Sequence, residues 1–117
     1  DLNADVSVVL SNRKNAYILK RAENHSVPAL FISHKGKPRE EFDSEMTVVL
    51  KEHNVDLALL IGFMRILSAG FCQKWRDRLL NVHPSLLPKY ACGMDTNVHK
   101  EVLKNGETET GCTIHFV

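Results

Sequence analysis

The run Asn81-Val82-His83-Pro84-Ser85-Leu86-Leu87-Pro88 sets an amide and an imidazole two residues apart, between the apolar lead-in Leu79-Leu80 and a proline-bracketed turn. Side chains alternate across a strand, so Asn81 and His83 share one face while Leu80 and Val82 point the other way. Polar groups at the carboxyl end of a buried strand sit where open α/β sheets place their ligands. An imidazole moves protons near neutral pH, and a fixed amide N–H can hold a developing oxyanion. That pairing suits acyl transfer. The same residues also suit a capped strand end with a satisfied surface histidine, and spacing alone does not choose.

A second stretch, Gly62-Phe63-Met64-Arg65-Ile66-Leu67-Ser68, follows an apolar run directly. A glycine there lets the backbone turn, and the next peptide groups can face a flat heterocycle between apolar walls from Phe63, Met64, Ile66 and Leu67. Alternatively, these side chains simply complete the core. In His34-Lys35-Gly36-Lys37-Pro38-Arg39, Arg39 would stand at a helix N-terminus and could hold an anionic group; otherwise this is a solvated basic loop. Cys112 and His115 have a Cys-x-x-His spacing, but in a strand they project to opposite faces, and no further ligand cluster supports a metal. His25, His34, His53 and His99 lie in polar surroundings and read as surface residues. There is no Gly-x-Gly-x-x-Gly fingerprint, no Walker loop and no nucleophile elbow.

Alternating elements must carry these groups. Strands are expected over Val6–Leu10, Val27–Ser33, Leu57–Ile61, Leu79–His83 and Thr113–Val117, the first, third and fourth of them buried. Helices are expected over Asn15–Asn24, Arg39–His53, Ala69–Trp75 and Thr96–Lys104, the last stopped by Asn105-Gly106. Within the second helix Phe42, Met46, Val49 and Leu50 form one apolar face. Such alternation predicts an α/β fold, Rossmann-like and doubly wound, with a mostly parallel sheet.

The 117 residues allow at most one domain. Fifteen basic against fourteen acidic residues, with no basic stripe, argue against nucleic acid as a partner. The longest apolar stretch is too short to span a bilayer, which argues against a membrane, and nothing in the sequence sets an oligomeric state. Three widely spaced cysteines without a Cys-x-x-Cys pair read as free thiols in a reducing compartment. The expected place is the cytoplasm, an organelle staying open because any transit peptide would precede Asp1. The opening Asp-Leu-Asn-Ala-Asp is not a signal peptide, and both ends lie close to or inside strands, so the chain reads as a piece incomplete at both ends.

Three blocks together resemble the phosphoribosylglycinamide formyltransferase family, the folate-dependent enzymes of purine synthesis. They are Gly62 to Ser68, Asn81 to Pro88, and Gly111-Cys112-Thr113-Ile114-His115-Phe116-Val117, in the family's order and at family-like spacing. Weaker similarity runs through Ser11-Asn12 and Glu41-Phe42-Asp43, so the likeness covers essentially the whole chain, residues 1–117, as a partial formyltransferase domain. Methionyl-tRNA formyltransferase keeps a His-x-Ser-Leu-Leu-Pro core, but generally without the Phe-Met-Arg-Ile-Leu loop. Formyltetrahydrofolate deformylase typically reads His-His-Ser-Phe-Leu-Pro where this chain has His83-Pro84-Ser85-Leu86-Leu87-Pro88.

The resemblance implies small-molecule substrates, glycinamide ribonucleotide and formyl-tetrahydrofolate, the latter as co-substrate, with no metal. It makes His83 the general acid/base and Asn81 the oxyanion donor, with Asn81 also touching the folate. It puts Met64, Arg65, Ile66 and Leu67, with Phe63 beside them, around the pterin, and Arg39 at the benzoyl-glutamate. Pro84 would flank the ribonucleotide, and His115 would lie close to the active centre. Family members also carry a phosphate-binding loop, which is absent ahead of Asp1, and an aspartate beyond His-Phe-Val; Ala91-Cys92-Gly93-Met94-Asp95 is a few residues longer than in the shortest of them. The piece alone is therefore expected to be inert and poorly folded. The competing reading is a truncated, non-catalytic module that binds folate or a partner.

Overall fold

The computed structural model describes residues 2–93 and 96–117; Asp1 in the opening pentapeptide, and Met94 and Asp95 in the lengthened segment, lie outside the described residues. The elements alternate as β1 (Val9–Ser11), α1 (Tyr17–Asn24), β2 (Ala29–Phe31), α2 (Arg39–Glu52), β3 (Ala58–Ile61), α3 (Ala69–Lys74), β4 (Leu79–His83), α4 (Thr96–Lys104) and β5 (Thr113–Phe116). Contacts divide the chain into two compact units. The first holds the chain up to Asp56 together with Leu67–Lys74; the second holds Leu57–Ile66 and Trp75–Val117.

In the first unit β1 and β2 run parallel, with Val9 opposite Ala29 and Ser11 opposite Phe31, and α1 packs on both strands as a crossover helix. β1 begins at Val9 rather than Val6 because the Val9 N–H is the first to find a ladder partner, the Pro28 carbonyl at 2.8 Å. Val6 stays exposed. On α2 the buried positions are Phe42, Asp43, Met46, Thr47 and Leu50, a wider stripe than the apolar pattern alone marks, with Val49 only half-buried. Asp43 is tolerated inside because its carboxylate accepts the Ser68 N–H at 2.6 Å. Ser68 in turn caps α3, its Oγ accepting the Phe71 N–H at 3.2 Å. α2 ends one residue before His53, whose Nδ1–H donates to the Val49 carbonyl at 2.8 Å.

That bond corrects the reading of four histidines as surface residues. His25 and His99 are exposed, but His53 is half-buried and bonded, and so is His34. Asn12 Nδ2–H donates to His34 Nδ1 at 3.2 Å, and the His34 ring stands edge-on to Phe42.

The second unit holds a three-stranded sheet in the order β3-β4-β5, with β3 and β4 parallel and β4 and β5 antiparallel. Leu79 is fully buried and Trp75 nearly so, with the Arg78 guanidinium 4.9 Å above the indole ring. The expected buried strand over Leu57–Ile61 is only half-buried on one side, at Ala58 and Leu60, and exposed on the other. Leu59 and Ile61 are 55% and 72% exposed, and Ile114 and Phe116, on the same face, are 64% and 66% exposed. A continuous apolar run gives a strand the capacity to be covered on both faces, but it does not state which faces are covered. Among the described residues, no helix is long and apolar enough to cross a membrane.

Phe42 and Val48 lie on the same helix in opposite environments, 2% and 55% exposed. In the full-length protein, Phe42→Ala is expected to lower stability by about 3–5 kcal/mol. Val48→Ala is expected to change it by about 0.5 kcal/mol or less. Urea unfolding midpoints check the contrast.

Candidate active site

β4 delivers Asn81 and His83 to one face of the second unit's sheet, as their alternation requires, and the antiparallel register sets Asn81 opposite His115 and His83 opposite Thr113. All four side chains therefore share that face. Each is half-buried, so the group is reachable yet partly shielded from water.

The hydrogen bonds assign the protons. His115 Nδ1–H donates to the Phe116 carbonyl at 2.9 Å, because a carbonyl can only accept. Its Nε2 then carries the lone pair, and Asn81 Nδ2–H donates to it at 3.2 Å. His83 has the opposite arrangement: Nε2–H donates to the Tyr90 carbonyl at 3.1 Å, which leaves the lone pair on Nδ1. A carboxamide offers two N–H donors and one acceptor oxygen, and His115 takes one of the donors. The site thus holds an unprotonated ring nitrogen and an oriented amide, suited to moving one proton and to stabilising one negative oxygen.

β5 also fastens the turn beyond His83. Thr113 Oγ1 donates to the Ser85 carbonyl at 2.7 Å and accepts the Leu87 N–H at 3.0 Å, while the buried Ser85 hydroxyl donates to the Lys89 carbonyl at 2.6 Å. Tyr90 follows in the left-handed region, φ +57°, and its carbonyl accepts from Gly93 N–H at 3.1 Å as well as from His83. Lys89 Nζ meets both oxygens of Glu107 at 3.0 and 3.2 Å. That hydrogen bond is the chief cause holding the Glu107 carboxyl below its usual range and raising the Lys89 ammonium.

The loop after β3 opens at Gly62, φ +61°, a conformation that favours glycine. Phe63 and Arg65 are half-buried, whereas Met64 and Ile66 are 48% and 72% exposed. Met64 and Ile66 do not complete a core. Leu67 belongs to the first unit, and so does Arg39, exposed at the first position of α2. Pro84 follows His83 directly and is half-buried. The structure therefore brings Asn81, His83 and His115 together, with Pro84 adjoining. Among the described residues, no group of three or more His, Cys, Asp or Glu is arranged to hold a metal ion.

Sequence reasoning missed Thr113, Tyr90 and Glu107. Thr113 was within reach, since it lies two residues from His115 and shares its face once β5 pairs with β4. The Tyr90 carbonyl carries no side-chain signal at all.

This chain belongs to the formyl transferase family, whose profile matches residues 1–117. Its relatives include the trifunctional purine biosynthetic protein adenosine-3 of Drosophila melanogaster, 50% identical over 117 residues, a match covering 99% of this chain and 8% of that protein. The phosphoribosylglycinamide formyltransferase of Escherichia coli is 39% identical over 117 residues, covering 99% of this chain and 54% of that protein. The solved structure of the phosphoribosylglycinamide formyltransferase of Coxiella burnetii superposes with a TM-score of 0.86 at 39% identity, over 97% of this chain and 53% of that one. The chain thus spans about half the length of these bacterial relatives and a small part of the trifunctional one.

The proton assignment is directly measurable. Long-range ¹H–¹⁵N ring correlations on the full-length protein near neutral pH are expected to show His83 as the Nε2–H tautomer and His115 as the Nδ1–H tautomer. A shared tautomer for the two rings would contradict the hydrogen-bond pattern.

Proposed function

We propose that this chain forms part of an enzyme that transfers the formyl group of formyl-tetrahydrofolate to the amine of glycinamide ribonucleotide in purine synthesis. One observation carries the reading: an imidazole with a free Nδ1 and an amide oriented by a neighbouring ring occupy the same face at the end of β4. The relatives named above supply the substrate class.

In the proposed reaction the ribonucleotide's amine attacks the formyl carbon, forming a new C–N bond and a tetrahedral intermediate. Asn81 donates its second Nδ2–H to the oxyanion. His83 Nδ1 takes the proton released by the attacking amine and returns it to the departing folate nitrogen as the old C–N bond breaks. No covalent enzyme intermediate is needed. His115 keeps the Asn81 amide turned toward the reaction, and Pro84 flanks the ribonucleotide. Met64, Arg65 and Ile66, with Phe63, contact the pterin, chiefly through backbone groups. Arg39, exposed at the first position of α2, offers a guanidinium that suits a carboxylate. The reaction belongs in the cytoplasm.

In the full-length protein, His83→Ala or Asn81→Ala is expected to cut formyl transfer by at least about a hundredfold. The thermal midpoint should hardly move, since neither side chain fills the core. Near-normal turnover would remove that residue from the mechanism. A native protein that binds the folate but transfers nothing would instead identify a binding module.

The pterin loop has its own test. Arg65→Lys leaves the backbone path alone, whereas inserting one residue between Met64 and Arg65 shifts the amides that follow. Folate affinity should fall far more with the insertion. Equal losses, measured by titration, would point to recognition by the Arg65 side chain.

A further inference from the structure

We propose that Glu107 is a positioning residue for His83, acting through Tyr90 and the turn that carries it. The proposal rests on the reading of His83 as the proton-handling group. Glu107 does not touch that ring; its effect passes through a backbone carbonyl.

The Tyr90 carbonyl, 3.1 Å from His83 Nε2, is the acceptor that fixes the tautomer and aims Nδ1 away from the turn. It belongs to a residue at φ +57°, a conformation that a residue with a Cβ rarely holds without support from its surroundings. Side chains supply that support. The Tyr90 hydroxyl donates to Glu107 Oε1 at 3.3 Å and accepts Asn105 Nδ2–H at 3.0 Å. The preceding residue, Lys89, is held by the same carboxylate at 3.0 Å. Two consecutive side chains of the turn thus converge on one acidic group.

Glu107 is itself held in place. α4, which ends at Lys104, is closed by Gly106, φ +66°, whose N–H bonds the Leu103 carbonyl at 3.1 Å, while Glu107 N–H bonds the Val102 carbonyl at 3.2 Å. This is the paired closure that commonly ends a helix at glycine. Position therefore passes from the helix end to the carboxylate, from there to the Tyr90 and Lys89 side chains, and finally to the carbonyl that holds His83. The Lys89 side chain is 62% exposed, and surface ion pairs add little to global stability. Losing Glu107 should change where the carbonyl points rather than whether the protein folds.

The experiment compares Glu107→Ala, Glu107→Gln and Tyr90→Phe in the full-length protein. Two things are read: the His83 ring tautomer in the ligand-free state, by long-range ¹H–¹⁵N correlation, and kcat and KM for both substrates. Glu107→Ala should replace the single Nε2–H signature of His83 with a mixture. It should also lower kcat about tenfold while both KM values stay within about twofold. Glu107→Gln keeps an acceptor for the Tyr90 hydroxyl and should restore most of the loss. Tyr90→Phe removes only that hydroxyl and should shift tautomer and kcat in the same direction as Glu107→Ala, so it decides the matter alone if Glu107→Ala does not fold. A folded Glu107→Ala with the wild-type tautomer and kcat would overturn the proposal. So would equal losses in the Ala and Gln variants accompanied by raised KM. Should His83→Ala keep its turnover, the catalytic reading fails, while the tautomer measurement still decides whether Glu107 holds the ring.

Discussion

The antiparallel register between β4 and β5 is the constraint on which the candidate site depends. It sets Asn81 against His115 and His83 against Thr113, and a slip of one residue would carry His115 and Thr113 to the opposite face. Asn81 would then lose the ring that orients its amide, and the Ser85–Leu87 turn would lose the threonine that fastens it. The register is fixed at both ends. At one end Val117 N–H bonds the Leu79 carbonyl at 3.0 Å, beside a fully buried side chain. At the other, Thr113 makes two bonds to the turn after His83. Strand pairing and turn geometry thus enforce the same alignment.

This division explains what could be read from the chain and what could not. β4 and α4 have the expected bounds because each carries its own stop signal, a proline after His83 and Asn105-Gly106 after Lys104. β1 and β2 are shorter than their apolar runs because a strand ends where its ladder partners end, and that depends on residues far away in sequence. Asn81 and His83 were legible as a pair because alternation within one strand is local. Placing His115 beside them by residue pattern alone would have required the register, which is not local; the likeness to a family supplied its neighbourhood. Tyr90 and Glu107 act through a carbonyl and a turn, and no residue-type pattern announces such contacts.

Burial shows the same limit. Leu57–Ile61 looks in composition like a strand covered on both sides, yet Leu59 and Ile61, with Ile114 and Phe116 beside them, stand more than half exposed on one face. The opposite face carries Leu79 with the polar group of Asn81, His83 and His115. The sheet therefore separates two tasks. One face carries the imidazole and amide groups of the candidate site; the other is apolar, with exposed surface of the kind that a neighbouring layer or partner covers in folded proteins. Substitutions that alter one face need not alter the other, because the pleat keeps their side chains apart.

The two histidines show how identical side chains acquire different tasks from the groups around them. Each ring bonds a backbone carbonyl, and in each the bonded nitrogen must hold the proton. At His115 the carbonyl is that of the adjacent residue and takes Nδ1, so Nε2 is left to accept from Asn81. At His83 the carbonyl lies seven residues ahead and takes Nε2, so Nδ1 is left with the lone pair. A protonated His115 would have no lone pair for the amide, and Asn81 would have to turn its oxygen toward the ring. Its Nδ2–H groups would then face away from the ring. In the proposed mechanism, the orientation of the Asn81 amide thus depends on the lone pair that His115 Nε2 presents to it.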